Sequence, residues 1–251
     1  MKPRVPLLLL LVAILLLPAI GHAQTARDLG DFALSLYNEA NSPGALQRRR
    51  KDLMKAPEAY LVAIEQPGTL VLLPDKRHVR VPDLRYNVAL RLLEVRDSAG
   101  FHVWPPGSLD GFYLGRGSEA RHFRSLKVRT EGPPLDFVEV LTAADNAPLV
   151  LAVQHRYIHD EPLLDPVLHT ETRPGRTLIA QRVVAGPGGP AEPLRELPLS
   201  QRYVGRLFGA HTAAVAAYAE REHLGPTDLA QVLRQVDYYN QLAAPAPAPA
   251  R

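Results

Sequence analysis

The chain has 251 residues, with 29 Lys plus Arg against 26 Asp plus Glu and no cysteine. The missing cysteine excludes a disulfide framework, a thiolate nucleophile and a thiolate metal site. Lys2 and Arg4 lie in the first 23 residues, which hold no acidic residue, so the rest of the chain carries about +1 instead of the formal +3; that imbalance is too small to point to nucleic acid as a partner.

Residues 1–23 read as a cleavable export signal. Lys2 and Arg4 form a positive start, Leu7 to Leu17 an apolar run, and Pro18 breaks it before Gly21-His22-Ala23. Cleavage after Ala23 would leave Gln24 as the N-terminus. The apolar run is shorter than the roughly 20 residues a bilayer span needs. The expected location is therefore periplasmic or secreted, with no stable membrane insertion after cleavage. About 228 residues remain, enough for one large domain or two small ones.

Residues 24–57 read as an N-terminal helix and a basic linker. Leu29, Phe32, Leu36, Tyr37 and Ala40 recur at helical spacing over 26–41, and Asn41-Ser42-Pro43-Gly44 is a stop signal. Gln47 to Lys51 adds four consecutive positive charges without interleaved aromatic residues, which suits a solvated helix face better than a nucleic-acid groove.

From residue 58 to 185 the period becomes two. Strands are expected over 59–65, 69–73, 78–81, 84–95 (one long strand, or two joined near Val88 to Leu90), 101–104, 111–114, 122–128, 137–141, 149–158 and 177–184. Gln66-Pro67-Gly68, Asp75-Lys76, Pro82-Asp83 and Asp145-Asn146 act as breaks. No helices separate the strands, so the body is an antiparallel sheet or a barrel. Residues 186–199 read as a Gly/Pro-rich loop. Helices return over 200–242, capped by Ser200 and Thr227, and 243–251 is an Ala-Pro tail. Leu229, Val232, Leu233, Val236 and Tyr239 form a stripe expected to pack on the body, with Gln231, Arg234, Gln235 and Asn240 facing solvent. The fold class is α+β: a strand-rich antiparallel, barrel-like body with an N-terminal helix and C-terminal helices.

The run Gly68 to Leu72, then Leu84-Arg85-Tyr86-Asn87, then Phe137-Val138-Glu139-Val140-Leu141, and a last helix ending in Tyr239-Asn240 resembles a family of uncharacterised secreted proteins of Bacteroidetes-type bacteria. The resemblance covers about residues 60–242. It implies an exported, strand-rich architecture, and it carries over no catalytic residue. Within it, Tyr86 is expected to point inward, Arg85 to solvent, and Asn87 into a turn.

No motif names a reaction. His155, Tyr157 and His159 share one strand face, but residues four apart on a strand are separated by about 13 Å, too far to share a metal. Gly107-Ser108 and Gly117-Ser118 are loop residues without the surroundings of a catalytic serine, and there is no His-Glu-x-x-His. Gly115-Arg116-Gly117 and Gly186 to Pro190 do not fit a nucleotide loop. Asp165, His169, Glu171 and Arg173 form a polar stretch that sequence cannot assemble into an acid–base pair. No catalytic, cofactor-binding or metal-binding residue is assigned, and no cofactor is implied. The reading that follows is a non-enzymatic exported module of the cell envelope, structural or protein-binding, that receives an envelope protein on a strand edge or sheet face. One alternative is a barrel-like carrier of a small apolar ligand, marked by a closed barrel around a cavity. The other is an envelope hydrolase, marked by a cleft with converging titratable groups.

Overall fold

The computed structural model describes residues 43–98, 100–129, 135–143, 147–160, 163–164, 171–173, 176–187 and 192–244. The export signal expected over 1–23, the helix expected over 26–41, the turn expected at Asp145-Asn146, Asp165, His169 and the end of the Ala-Pro tail lie outside these residues. A first unit ends at Lys55 and a second begins at Ala56. In the first, helix α1 spans Pro43–Leu53. Pro43 and Gly44, expected in a stop signal, thus lie in a helix. Proline suits the first helical turn, where its missing N–H has no partner to lose. Gln47 to Lys51 are exposed on this helix, as a solvated face requires, and Arg50 and Lys51 complement the negative helix end.

In the second unit, ten strands among the described residues form one antiparallel sheet. They are β1 (Gln66–Leu72), β2 (His78–Asn87), β3 (Leu92–Asp97), β4 (Gly100–Trp104), β5 (Leu109–Leu114), β6 (Arg121–Lys127), β7 (Leu135–Val140), β8 (Leu149–Asp160), β11 (Arg176–Pro187) and β12 (Arg195–Glu196). β9 (Leu163–Leu164) and β10 (Glu171–Arg173) make a separate two-stranded ribbon. The sheet order is β12-β11-β8-β7-β6-β5-β1-β2-β3-β4.

This order corrects the α+β, barrel-like expectation. The body is an all-β antiparallel sheet flanked by helices, and it does not close. β12 and β4 are outermost, each with a single neighbouring strand, and no strand among the described residues joins them. Alternation along a strand reports that one face is buried; it is blind to whether the first and last strands meet. The carrier reading loses its closed barrel.

Local corrections follow from backbone chemistry. Residues 61–64 are bends, Glu65 is irregular, and of the expected strand over 59–65 only Tyr60 bridges, to Asn87. Pro67-Gly68 belongs to β1, and β2 runs through Pro82-Asp83. Gln66 pairs with Leu84 but Gly68 with Val81, so the prolines sit in a bulge where ladder bonds are skipped. β11 continues through Gly186-Pro187, in full register with β8. Between β2 and β3, Asn87 accepts the Leu90 N–H through Oδ1 at 3.0 Å, and Arg91 takes φ 55°. Asn87 thus makes the turn that was expected of it.

Three buried clusters follow from the alternation. On one face Tyr86, Phe112, Phe123 and Phe137 gather, with Phe112 and Phe123 stacked at 4.7 Å. Tyr157 and Ile179, from the far halves of β8 and β11, pack on the same cluster, so the sheet curls over it. On the other face Val138, Val140, Val150, Ala152 and Val184 meet Leu194. The third cluster lies under the helices. These are α2 (Gln201–Val204), a 3-10 segment (Gly205–His211), α3 (Thr212–Arg221) and α4 (Leu229–Ala243). Leu149, Leu151 and Ala185 of the sheet pack against Phe208, Val215, Val232 and Val236.

The expected stripe of α4 does lie on this cluster, with Val232 and Val236 fully buried and Leu229, Leu233 and Tyr239 partly so. Its supposed solvent face is corrected in two places. Gln235 is buried and donates to Gly225 O at 3.1 Å. Asn240 accepts the Leu149 N–H and donates to Leu149 O, both at 2.9 Å. The cap of α4 is Asp228, whose carboxylate accepts the Gln231 N–H, and not Thr227. Ser200 stands at the α2 cap position but makes no side-chain capping bond.

Candidate functional site

The titratable groups inside the sheet are tied to one another. On β7, Glu139 is clasped by Arg121 of β6 through two hydrogen bonds, at 2.8 and 2.6 Å. His155 of β8 donates from Nε2 to the same carboxylate at 2.8 Å. Burial pushes the Glu139 carboxyl upward, but Arg121 and then His155 outweigh it and hold it at about 2. A carboxylate so firmly ionised cannot act as a general acid near neutral pH. His155 is buried, and its Nδ1 has no partner among the described residues.

Three residues earlier on β7, Asp136 meets the opposite environment. It accepts from Gln154 Nε2 at 2.7 Å, from the Phe137 N–H at 2.9 Å and from the Tyr86 hydroxyl at 3.4 Å, with Arg91 at 3.8 Å. Burial raises its carboxyl above the ordinary range, and these partners only partly offset it. A third group joins β2 and β3: Glu94 accepts from Tyr60 at 2.8 Å and from Arg85 at 3.0 Å, and Arg85 covers the Tyr60 ring at 4.3 Å. Arg85 was expected in solvent, but it is half-buried and bridges this pair. Tyr86 points inward, as expected.

Two cavities open on the second unit. One, of about 520 Å³, lies over β1, β2 and β5 and is lined by Thr69, Arg80, Tyr113 and the Gly115-Arg116-Gly117 turn. The other, of about 240 Å³, lies among the helices beside Phe208, Val215 and Gln235. Glu139, Asp136 and Glu94 line neither. The buried carboxylates are therefore built as struts between strands, away from both openings.

The residues singled out from sequence are scattered. His155 belongs to the Glu139 group, while His159 contacts Thr177 Oγ1 through Nδ1 at 2.8 Å. Ser108 donates to Pro105 O within its own turn, and Gly117-Ser118 lies in a short 3-10 turn. Glu171 and Arg173 fall on β10. Sequence reading missed Arg121, Asp136 and Gln154, because a polar residue at an inward strand position is recognisable only once its cross-strand partner is known.

The sheet also presents an open edge. β4 pairs with β3 in unbroken register from Gly100–Asp97 to Trp104–Leu93, and among the described residues its other side has no strand neighbour. Phe101 and Val103 on it are 48% and 37% exposed. Five residues without Pro, Lys or a bulge leave a row of backbone donors and acceptors open. The opposite edge is blunt: β12 has two residues, both charged, Arg195 and Glu196. Among the described residues, no helix is long and apolar enough to cross a membrane, and no group of His, Asp or Glu is arranged to hold a metal ion. No family model, no curated protein and no solved structure matches this chain.

Proposed function

We infer that the chain is an exported, non-enzymatic interaction module of the cell envelope that takes an extended segment of another protein onto β4. Export rests on the n-region, apolar run and small-residue site within residues 1–23. The resemblance to secreted Bacteroidetes-type proteins supports the same compartment. The observation that carries the interaction is the edge. Natural sheets protect their edges with charge, proline or brevity, as β12 does. β4 uses none of these. An added strand would pair with its free N–H and C=O groups, while Phe101 and Val103, two residues apart, would offer apolar contact on one face.

A photoreactive residue in place of His102, in cells exporting the protein, tests this. Adducts with another protein are expected there and not at exposed Ala213 on α3. The N–H groups of Val103 and Trp104 point to opposite sides of β4, so one of the variants Val103→Pro and Trp104→Pro blocks the outer edge. That variant should abolish the adducts. Equal adducts at both positions, or none, would overturn the reading. Adducts of twice the chain's mass would instead make the occupant a second copy. Export is checked by N-terminal sequencing: Gln24 is expected, and an intact Met1 in the membrane fraction refutes it.

A further inference from the structure

The 520 Å³ cavity lies over β1, β2 and β5, on strands separate from the β4 edge. Cross-strand register builds it. Arg80 pairs with Thr69, Thr69 with Tyr113, and Tyr113 with His122, so these four side chains form one row across β2, β1, β5 and β6. Thr69 is the short member, and a notch opens above it between Arg80 and Tyr113. His122 stacks on Tyr113 with ring centres 4.3 Å apart and planes 6° from parallel. One face of the phenol ring is thereby occupied, the His78 ring stands 5.9 Å from it at a tilt of 34°, and the phenol ring still borders the notch. The remaining wall is the turn after β5. Gly115 and Gly117 hold φ of 95° and 68° there, a conformation that side-chain-bearing residues rarely adopt, so this wall stays bare backbone.

The charge of the cavity is one-sided. Arg80 and Arg116 line it, no carboxylate does, and neither guanidinium has an ion pair or hydrogen bond among the described residues. By contrast Arg85, Arg121 and Arg234 each meet a carboxylate. Two uncompensated guanidinium groups select an anion, because the planar fork matches a carboxylate or a phosphate. An aromatic wall selects a ring with an apolar face, and bare backbone offers partners for hydroxyl groups. The volume falls in the range of small-molecule sites.

We propose that this cavity binds an anionic sugar, its ring against Tyr113 and its acidic group between Arg80 and Arg116. The proposal does not depend on the β4 interface. The test titrates the exported protein with glucuronate, glucose 6-phosphate, glucose and inorganic phosphate, followed by amide chemical shifts. At least one charged sugar is expected to bind with a Kd of about 1 mM or below. Glucose and inorganic phosphate should each bind at least roughly tenfold more weakly, since each offers half of the chemistry. Whichever charged sugar binds identifies the acidic group as carboxylate or phosphate. The double variant R80A/R116A should lose roughly tenfold or more in affinity for that sugar. If it fails to fold, R80Q/R116Q keeps the side-chain bulk and serves in its place. Failure of both charged sugars to bind, equal binding of glucose or phosphate alone, or a folded double variant with the parent's affinity would overturn the proposal.

Discussion

The two buried regions on the curled side of the sheet are filled by different means. Around β2, β5, β6 and β7 the sheet fills its own concavity with four rings, Tyr86, Phe112, Phe123 and Phe137. Over β8 and β11 the sheet offers Leu149, Leu151 and Ala185, and the covering layer is brought by helices. A sheet that closes over its own large side chains needs no added layer. One that carries smaller residues must hold a helix in a fixed place. Asn240 does that holding: its amide meets both backbone groups of Leu149, as a neighbouring strand would.

The sharpest way to break this contrast is Phe137→Ala. Phe137 is fully buried and meets Tyr86 edge-on at 5.8 Å and Phe112 at 5.2 Å. The loss should be about 3–5 kcal/mol in denaturant unfolding. A loss below about 1 kcal/mol would mean that the rings are not the concavity's filling. The helical side is probed by Asn240→Ala, which leaves the Leu149 N–H and C=O without their partners and should cost about 1–3 kcal/mol. Amide exchange should then speed up along α4 before it does along β5. Uniform exchange would show that packing of Val232 and Val236 alone fixes the helix.

Acid separates two carboxylates on one strand. Glu139 is held below its ordinary 4.5, at about 2, so its stabilisation is complete above about pH 4.5 and is lost as pH falls toward 2. Asp136 is raised, so it works in the opposite sense: its protonated form is favoured in the fold, and that contribution fades as pH rises through its raised value. Unfolding midpoints measured between pH 5 and 2 should fall for the parent protein, by up to roughly 3 kcal/mol in stability. Glu139→Gln should flatten that fall, and an unchanged slope would deny the Arg121 clasp. The smallest effect belongs to Arg234→Ala. Arg234 is exposed and meets Glu222 at 3.2 Å. Its removal should shift stability by less than about 0.5 kcal/mol, and a larger loss would give α4 an electrostatic anchor as well as an amide one.

Strand positions and the α4 stripe were legible because they depend on local alternation. Leu84, Tyr86 and Phe137 each point where a period of two puts them. What depended on a distant partner was hidden. Gln235 and Asn240 have the composition of a solvent face, yet Gly225 and Leu149 receive them. Pro82-Asp83 resembles a strand end, and becomes a bulge only because β1 carries Pro67 opposite. Openness of the sheet was hidden for the same reason. The cavity row of Arg80, Thr69, Tyr113 and His122 comes from four separate strands, and no window of sequence contains it.

The position of β1 between β2 and β5 has a kinetic consequence. β1 to β4 form one run of neighbouring hairpins, and β5 to β8 form another; among the described residues the two runs share strand pairing only where β1 pairs with β5, as in Leu70 with Phe112. Hairpins close quickly because their loops are short, whereas this seam must wait until a whole hairpin run has been bypassed. Pulse-labelled refolding should therefore protect amides of the β2–β3 and β6–β7 pairs before those shared by β1 and β5. Gly68 and Gly111 lie on that late seam. Even a Cβ at Gly68 would strike the Tyr113 carbonyl, at 2.5 Å, so joining the two runs tolerates no side chain at that position.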